Sequence, residues 1–358
     1  MKTGADSGSD SSTDNRRITI YDVARQAGVS PSTVSRTFSR PDRVSISTAR
    51  MVQKVADALG YHSDIVDSRS GSQGRGLVAV VVPDLGNQFF TGVIRSIQDE
   101  CERFRFETLI LDTRESITRE RRIVDTVAPV VSGIILVSPR MPDAMIRKCA
   151  QLRPLVSVNR DVRGVSSISI DVAKGACQAV DYLYSLGYRS LTYLDGPAAS
   201  WSGGIRWRHI FNECDAKGMS VKRSLPCAPT FYGGYSFAEK YMDDPTGAVI
   251  AHNDLMAIGL IVALRRLGCE CPRDISVIGF DNDTMSMVSS PPLTTIHMSL
   301  SVLGRGAADL LMQRLSGANL SVAPTVPARL IIRQSTGARS SKPWGETGQR
   351  ENLGHERS

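Results

Sequence analysis

Arg36 is the residue whose surroundings most clearly suggest a chemistry. It ends a run of small and hydroxyl-bearing residues that includes Pro31 and Ser32. A guanidinium carries paired N–H donors that match the acceptor atoms on a guanine edge, and small neighbours let a helix backbone come close to a major groove. The alternative is an ordinary arginine on a surface helix. The elements around the run favour the first interpretation.

A helix-turn-helix is predicted around this run. Thr19 and Asp22 have the spacing of a capping box, which predicts a first helix over Ile20–Ala27. Gly28 can adopt the left-handed backbone that ends such a helix. Ser30, followed by a proline, then has the pattern of a second helix start. Two helices joined by a turn that contains glycine are typical of the helix-turn-helix motif.

A third helix is predicted over Ser47–Leu59, which carries apolar residues at helical spacing. Between residues 16 and 62 there are eight lysines and arginines against three aspartates. Such an excess in a small module is typical of a surface that binds phosphates. Six apolar residues can close a core between the first two helices: Val23, Ala24, Ala27, Val29, Val34 and Phe38.

Recognisable spacings run through the whole module, at Thr19–Ala24, Ala27–Arg36, Val44, Ser45, Thr48 and Ala58–Tyr61. In these positions it resembles the headpiece of the lactose-repressor family of bacterial transcription factors. The resemblance implies that bases are read by Pro31, Ser32 and Arg36. It also implies contacts to DNA phosphates from six hydroxyl-bearing residues: Tyr21, Ser30, Thr33, Ser35, Ser45 and Thr48. Ala49 departs from the family, which usually has arginine there.

The headpiece, residues 16–62, has polar segments on both sides. Residues 1–15 are rich in Ser, Gly and Asp, and they predict a disordered leader rather than a signal peptide. Residues 63–75 predict a Gly- and Ser-rich hinge or linker. In the family this linker forms a hinge helix on DNA and inserts a leucine into the minor groove, whereas Ser70 stands here. The linker therefore either folds on DNA with a weaker kink or acts mainly as a tether.

From Leu77 onward, apolar runs alternate with amphipathic stretches, which predicts parallel α/β structure covered on both faces. Strands are predicted over Leu77–Val82, Glu107–Leu111, Gly133–Val137, Leu155–Val158, Ser167–Ile170, Leu191–Leu194, Ala248–Ala251, Ser276–Phe280 and Arg329–Arg333, and a late helix over Ser301–Leu315. The family resemblance extends here and implies a two-lobed, periplasmic-binding-protein-like core over residues 76–338, with each lobe discontinuous in sequence. Residues 339–358 are predicted to form a disordered tail.

Polar and aromatic residues follow the predicted strands, at the end where parallel sheets bind ligands. The resemblance, carried by Gly196-Pro197, Asn253–Gly259 and Ser276–Asn282, implies an effector pocket between the lobes. Its residues would be Asp84, Phe89, Phe90, Asn159, Ser202, Arg206, Asn253 and Asp281, and Trp201 could stack on a sugar face. Arg206 and Asp281 are its expected centre, because Arg clamps vicinal hydroxyls or a carboxylate and Asp accepts from hydroxyls.

Some of these residues have simpler roles open to them. Phe89 and Phe90 could be core aromatics that begin a helix. Asn253 could be a helix cap only. Trp201 could be a lid or a contact between lobes. These alternatives do not affect the expected roles of Arg206 and Asp281.

The composition excludes several classes of protein. The chain has 358 residues, more than a single compact domain usually contains. Apolar residues make up 41% of it, which is enough to form a large core. No run reaches the roughly 18 apolar residues of a membrane helix. Seven cysteines without metal-ligand spacing predict reduced thiols, and neither a metal nor a cofactor is expected. The chain lacks a phosphate-binding glycine loop, a dinucleotide fingerprint and a nucleophile elbow, so no enzyme is expected.

We therefore expect a cytoplasmic, nucleoid-associated transcriptional regulator, namely a repressor. It would bind operator DNA as a homodimer, because one headpiece reads only a few base pairs. A small effector, such as a sugar or a related polyol, would control its operator affinity. The alternative is a soluble sugar-binding protein without DNA-dependent function. That class would require export, and the fused headpiece counts against it.

Overall fold

The computed structural model describes residues 19–39, 43–59, 76–317 and 325–339. The chain separates into two compact units, divided between Arg75 and Gly76. Three sequence predictions fall outside the described residues: the leader 1–15, the hinge 63–75 with Ser70, and all of the tail 339–358 except its first residue. The side chain of Phe38, a predicted core residue, is also outside them.

The first unit contains the three predicted helices, α1 (Ile20–Ala27), α2 (Pro31–Ser39) and α3 (Ile46–Leu59). The Asp22 carboxylate accepts hydrogen bonds from the Thr19 backbone N–H, at 2.9 Å, and from the Thr19 hydroxyl, at 2.6 Å. Gly28 adopts a φ of 65° and ends α1, as predicted. The core contains Val23, Ala24, Ala27, Val34, Val52 and Ala56, with Val29, Val55 and Leu59 partly buried against it.

The second unit alternates strands and helices. Its strands are β1 (Gly76–Val82), β2 (Phe106–Asp112), β3 (Gly133–Val137), β4 (Leu155–Val158), β5 (Ser166–Asp171), β6 (Ser190–Leu194), β7 (Ser220–Arg223), β8 (Ala248–Ala251), β9 (Ser276–Asp281), β10 (Thr294–Met298) and β11 (Thr325–Ile331). Its helices are α4 (Gln88–Arg103), α5 (Ile117–Val127), α6 (Asp143–Leu152), α7 (Val172–Ser185), α8 (Trp201–Ala216), α9 (Phe231–Asp243), α10 (Asp254–Arg266), α11 (Thr284–Val288) and α12 (Leu300–Leu315).

The strands of this unit lie in the order β2-β1-β3-β4-β5-β11-β10-β9-β8-β6-β7. We call β1–β5 with α4–α6 and α12 the N-lobe, and β6–β10 with α7–α11 the C-lobe. Among the described residues, the pairing of β10 with β11 is antiparallel and every other pairing is parallel. Strands β3, β4, β8 and β9 are buried along their whole length, as strands covered by helices on both faces must be.

The chain crosses between the lobes more than once. It passes from β5 through α7 into the C-lobe, and after β10 it returns, because α12 packs on α4 and on strands β3–β5. Strand β11 then joins the two halves, since Val326 pairs with Ile170 of β5 and Leu330 pairs with Ile296 of β10. The residues after β11 also pack on the C-lobe, where the Ser335 hydroxyl donates to the Val277 carbonyl at 2.6 Å. With α12 in the N-lobe and residues 328–335 on the C-lobe, each lobe is discontinuous in sequence, as the family resemblance implied.

Three strand assignments need correction. Strand β11 runs over Thr325–Ile331 rather than Arg329–Arg333, because its pairing with β5 begins at Thr325. Strand β7 was not predicted, since Ser220–Arg223 is mostly exposed at the sheet edge and has no apolar run. Strand β10 was not predicted either, because polar residues interrupt its apolar ones. In the described part of the chain, no helix is long and apolar enough to cross a membrane.

Candidate functional site

The start of α2 carries a cluster of hydroxyl groups. The Ser30 hydroxyl oxygen accepts a hydrogen bond from the Thr33 backbone N–H at 3.2 Å, so Ser30 caps the helix as predicted. The same hydroxyl lies 2.9 Å from the hydroxyls of both Ser32 and Thr33. These three groups surround a helix N-terminus, which has free backbone N–H donors and a partial positive charge.

The start of α3 repeats this arrangement. The Ser45 hydroxyl oxygen accepts from the Thr48 backbone N–H at 3.2 Å, and it lies 2.7 Å from the Thr48 hydroxyl and 3.1 Å from that of Ser47. Sequence reasoning named Ser45 and Thr48 but missed Ser47. The repeated pattern Ser-X-Ser-Thr, at residues 30–33 and 45–48, was the available signal. Both clusters have the donors that a phosphate group requires.

The outer face of α2 exposes Ser32, Ser35 and Arg36, whereas Val34 is fully buried and Thr37 is turned inward. The Thr37 hydroxyl donates to the Thr33 carbonyl at 2.9 Å within the helix. Pro31 is half-buried at the helix start. The arginine, the small residues beside it and the hydroxyl cluster thus lie on the exposed part of one helix. On α1, Tyr21 is 65% exposed and completes the set of predicted DNA contacts on the described residues.

A cavity lies between the N-lobe and the C-lobe, at the carboxyl ends of their strands. It is lined by Asn87, Phe89, Phe90, Glu115, Ser138, Arg140, Asn159, Ser202, Arg206, Pro229, His252, Asn253 and Asp281. In this arrangement of the lobes the space enclosed by these side chains is about 20 Å³, room for about one water molecule. A larger ligand therefore requires the cavity walls to move apart. Seven of the nine predicted effector residues line the cavity: Phe89, Phe90, Asn159, Ser202, Arg206, Asn253 and Asp281.

The N-lobe wall is built around Arg140, which is buried. Its Nε and Nη2 donate to the two carboxylate oxygens of Glu115, at 2.5 and 2.9 Å, and its Nη1 donates to the Ser138 carbonyl at 2.9 Å. The Glu120 carboxylate accepts the backbone N–H of Arg140 at 2.9 Å, and burial raises the pKa of this carboxyl. Asn159 Nδ2 donates to the Ser138 hydroxyl at 3.0 Å. The wall is therefore held in place by its own hydrogen bonds.

The C-lobe wall is built around Arg206, whose guanidinium carbon lies 4.3 Å from the centre of the Phe280 ring. Its Nη1 donates to the His252 carbonyl oxygen, and its Nη2 lies 3.7 Å from an Asp281 carboxylate oxygen. Its Nε is buried without a hydrogen-bond partner in the structure. Burial raises the pKa of Asp281 to about 7, although Arg206 acts in the opposite direction. A buried donor without a partner is costly unless something else pairs with it.

Phe89, Phe90 and Asn253 combine structural roles with their place in the cavity wall. Phe89 and Phe90 are buried in the core at the start of α4, with ring centres 5.2 Å apart in an edge-to-face arrangement. The Asn253 side-chain oxygen caps α10 by accepting from the Met256 N–H at 2.9 Å, and its amide donates to the Pro229 carbonyl at 2.9 Å. The simpler roles and the pocket roles are thus compatible.

Asp84 and Trp201 are not among the residues that line the cavity. The Asp84 carboxylate accepts the Gly86 N–H at 2.8 Å and closes the turn after β1, and Asn87 is the residue of this loop that lines the cavity. Trp201 is the first residue of α8 and half-buried, while Ser202 and Arg206 on the buried face of that helix line the cavity. A contact of Asp84 or Trp201 with the ligand therefore stays a prediction.

Six lining residues were not assigned to the pocket from the sequence: Asn87, Glu115, Ser138, Arg140, Pro229 and His252. Asn87 and His252 are among the polar residues that follow the predicted strands, and the same rule could have found three of the others. Ser138 and Arg140 follow β3 directly, Glu115 follows β2, and His252 follows β8. Pro229 has no such signal, because it lies in the irregular segment before α9.

The backbone is strained at several of these strand ends. Among the described residues other than glycine, seven have a positive φ angle. One is Arg105. The other six lie at or just beyond the carboxyl ends of β2, β3, β4 and β9: Arg114, Glu115, Ser138, Asn159, Asp281 and Asn282. The φ of Asp281 is 112°, well outside the ordinary range for a residue with a side chain. Such strain persists only where surrounding structure holds it, and it concentrates at ligand sites.

Comparison with known proteins identifies the family of both parts of the chain. The family model described as "Bacterial regulatory proteins, lacI family" matches residues 19–64, and the model described as "Periplasmic binding protein-like domain" matches residues 180–336. The HTH-type transcriptional repressor CytR of Escherichia coli K12 is 31% identical over 329 residues, which cover 89% of this chain and 96% of CytR. The regulator DegA of Bacillus subtilis is 27% identical, with 89% and 98% covered.

Solved structures agree on the fold. The Lac repressor dimer bound to operator and the anti-inducer ONPF superposes with a TM-score of 0.70 at 24% identity, covering 90% of this chain and all of that one. The transcriptional regulator CelR in complex with cellobiose gives a TM-score of 0.66 at 26% identity, covering 89% and 100%. With a relative above 30% identity along nearly its whole length, the chain belongs to the lacI family of bacterial regulatory proteins, as a DNA-binding regulator with a periplasmic-binding-protein-like core.

Proposed function

We propose that this protein is a repressor whose operator affinity is controlled by a small ligand in the cavity between its lobes. Two headpieces of a homodimer would each place α2 in a major groove of a pseudo-palindromic operator. Pro31, Ser32 and Arg36 would contact bases. Phosphates would be held by Tyr21, Ser30, Thr33, Ser35, Ser45 and Thr48. The two hydroxyl clusters at helix N-termini support this assignment, because they combine donors with a favourable dipole.

The ligand in this proposal is a sugar or a related polyol. The observation that carries it is the pairing of the Arg206 guanidinium, which has a buried Nε without a partner, with the Asp281 carboxyl in one cavity wall. Donor and acceptor side by side match vicinal hydroxyls, each of which donates one hydrogen bond and accepts others. Two structural relatives at 26% identity were solved with cellobiose and with ribose, which supports the same ligand class.

Ligand and operator would communicate through the lobes. A ligand that contacts both walls favours one relative arrangement of the lobes, and that arrangement would set the spacing of the two headpieces in the dimer. By linkage, a ligand that weakens operator binding tenfold must itself bind tenfold less tightly to the DNA-bound protein, a coupling of about 1.4 kcal/mol. The proposal places the protein in the cytoplasm at the nucleoid, where its operators are.

A thermal-shift screen of the full-length chain tests the ligand class, with sugars, sugar phosphates and nucleosides as probes. A ligand that binds only the folded state raises the melting temperature by mass action. We expect at least one sugar or polyol to raise the melting temperature. The same compound should change how strongly the protein binds DNA duplexes that it has selected from a random pool. A chain that binds a sugar yet prefers no duplex is instead a soluble sugar-binding protein, and a chain that binds nucleosides alone contradicts the ligand class.

A further inference from the structure

His252 lies in a slot formed by two glycines. A Cβ on Gly196 would lie 2.5 Å from the ring atoms Cγ and Cδ2, and a Cβ on Gly203 would lie 3.2 Å from Cε1. Gly196 leaves no room for a side chain beside the ring, and a side chain at Gly203 would crowd its other side. The imidazole is buried and lines the cavity beside Arg206. This fit indicates that the ring has a fixed orientation.

Tyr193 contacts the inner nitrogen of that ring. Its hydroxyl oxygen lies 3.4 Å from His252 Nδ1, a long hydrogen bond, and it has no other hydrogen-bond partner among the described residues. Either atom could donate. If Nδ1–H donated, the buried Tyr193 O–H would have no acceptor, which costs free energy. If the Tyr193 O–H donates, both groups are satisfied, and the ring proton of His252 must then be on Nε2.

The surroundings also favour an uncharged ring. Burial lowers the pKa of His252, and the nearby guanidinium groups of Arg206 and Arg140 lower it further. Burial raises the pKa of Tyr193, so its hydroxyl keeps the proton that it donates. A neutral imidazole has one donor and one acceptor nitrogen, and Nδ1 is occupied as the acceptor. Nε2 makes no hydrogen bond within the part of the chain that the structure describes.

We propose that Tyr193 holds His252 in its Nε2–H form, and that this N–H and the free Nε of Arg206 donate to an oxygen acceptor of the bound ligand. His252 is then a specificity-determining residue of the cavity, and Tyr193 is a positioning residue that acts through it. The site should accept a hydroxyl, ring or carbonyl oxygen at this point and reject an ammonium group. This inference rests on the proposed function, since it describes how the same cavity selects its ligand.

The proposed Nε2–H form of His252 can be tested without any ligand, by nitrogen NMR of the full-length chain labelled with ¹⁵N in its histidines. We expect one histidine, absent from spectra of His252→Gln, with a protonated Nε2 and a bare Nδ1 at neutral pH. In Tyr193→Phe the same ring should show a mixture of the two forms, a change that a merely structural role of the tyrosine would not produce. A protonated Nδ1, or a doubly protonated ring, in the unaltered chain overturns the inference.

The proposed hydrogen bond from His252 to the ligand is tested with the sugar that gives the largest thermal shift in the screen. His252→Phe keeps a flat ring but removes the donor, and we expect about tenfold weaker binding. His252→Gln restores an N–H close to the Nε2 position and should bind within about threefold of the unaltered chain. Tyr193→Phe removes a single atom, so it remains informative if His252→Phe does not fold, and it should weaken binding about two- to threefold.

These outcomes separate the inference from the proposed function. Equal affinity of the unaltered chain, His252→Phe and Tyr193→Phe for that sugar overturns the role of His252 and leaves the cavity as a sugar site. No thermal shift with any sugar or polyol in the unaltered chain overturns the proposed ligand class, and the inference with it. Weaker binding in His252→Phe with recovery in His252→Gln supports both.

Discussion

The headpiece surface and the cleft of the core both use arginine and hydroxyl groups, but they are built differently. In the headpiece, the cluster around Ser30 is connected by hydrogen bonds between residues two or three positions apart, and its side chains are exposed. In the cleft, the bonds of Arg140 to Glu115 and of Arg206 to His252 span 25 and 46 residues, and both arginines are buried. One surface is made by local sequence and the other by the fold.

This difference determines how each arginine can act. Arg36 is exposed in the free protein, so in the proposed complex its contribution would appear only when DNA displaces water and would depend on the base presented to it. Arg206 is already desolvated, stacked on Phe280 and aligned by the His252 carbonyl. The free energy needed to order it has been supplied by folding, so a ligand gains most of its hydrogen-bond energy. Substitutions in the cleft should therefore have larger effects than substitutions in the headpiece.

The largest effect is expected from Arg206→Ala. The change removes the pre-aligned guanidinium and leaves the Asp281 carboxyl buried without its cationic neighbour, which typically costs about 2–5 kcal/mol of binding. Calorimetry should show that the sugar affinity is lost, while operator binding without ligand is retained. Arg208→Ala is the control, because Arg208 is exposed on the same helix. A variant at Arg206 that still binds the sugar normally contradicts the assignment of the cavity.

The next effect is on stability and depends on pH. Burial raises the pKa of Asp281 from 3.8 to about 7, so the folded chain holds this proton more tightly than the unfolded chain does. The carboxyl therefore lowers the free energy of unfolding as the pH rises from about 4 to about 7, and its effect is constant above that. Asp281→Asn should remove this loss, so its stability relative to the unaltered chain should increase over the same window, by up to about 4 kcal/mol.

Urea unfolding at a series of pH values measures this difference. Tryptophan fluorescence reports on the core, because Trp201 and Trp207 both lie in α8. Asp215→Asn, at an exposed position of that helix, is the matched control and should show no such trend. A difference for Asp281→Asn that stays constant between pH 4 and 7 would mean that this carboxyl titrates normally and that the cleft is wetter than the structure indicates.

Arg36→Ala should have an intermediate effect, confined to one base pair. Losing a bidentate contact to a guanine edge costs about 1–3 kcal/mol, and only for operators that carry that base. Binding should be measured against a set of operators, each altered at a single base pair. Arg25→Ala is the comparison, because this exposed arginine of α1 is expected to weaken all operators equally. An equal loss of affinity for all operators in Arg36→Ala would mean that Arg36 contacts a phosphate, and it would contradict the proposal that this residue recognises a base.

The smallest effect is expected from Thr48→Val. The change removes one hydroxyl of the cluster at the start of α3 and should weaken binding to every operator by about 0.5–1.5 kcal/mol. Thr37→Val is a matched control, because the Thr37 hydroxyl is turned inward and donates to the Thr33 carbonyl. Equal losses in the two variants would indicate a general effect on headpiece stability and not a phosphate contact.

The contrast between a headpiece built by neighbouring residues and a cleft built by distant segments also explains what could be predicted from the sequence. The headpiece was predictable, because Thr19, Asp22, Gly28 and Ser30 act on neighbours within a few residues. Parallel strands were also predictable, since burial on both faces produces continuous apolar runs such as those of β3 and β8. The edge strand β7 was not, because exposure leaves Ser220–Arg223 without a pattern.

The cleft could be predicted only in part. Asn159, Arg206 and Asp281 were named through the family resemblance, and Asn159 and Asp281 also stand at strand ends. Arg140 and Glu115 follow strands too, but their importance comes from a salt bridge between two separate loops, which spacing does not show. Asp84 accepts the Gly86 N–H within its own turn and does not line the cavity, a local detail that the resemblance did not show. The sequence can place such residues at a strand end, but it does not show which distant segments meet there.

We propose that occupancy of the cleft controls operator binding by the headpiece. The most direct measurement is the operator affinity of the full-length chain, with and without a saturating concentration of the sugar found in the screen, at one fixed salt concentration. We predict a change of at least about tenfold, equivalent to 1.4 kcal/mol of coupling, in the unaltered chain and none in Arg206→Ala. An operator affinity that stays the same in the unaltered chain while the sugar is bound would contradict the claim.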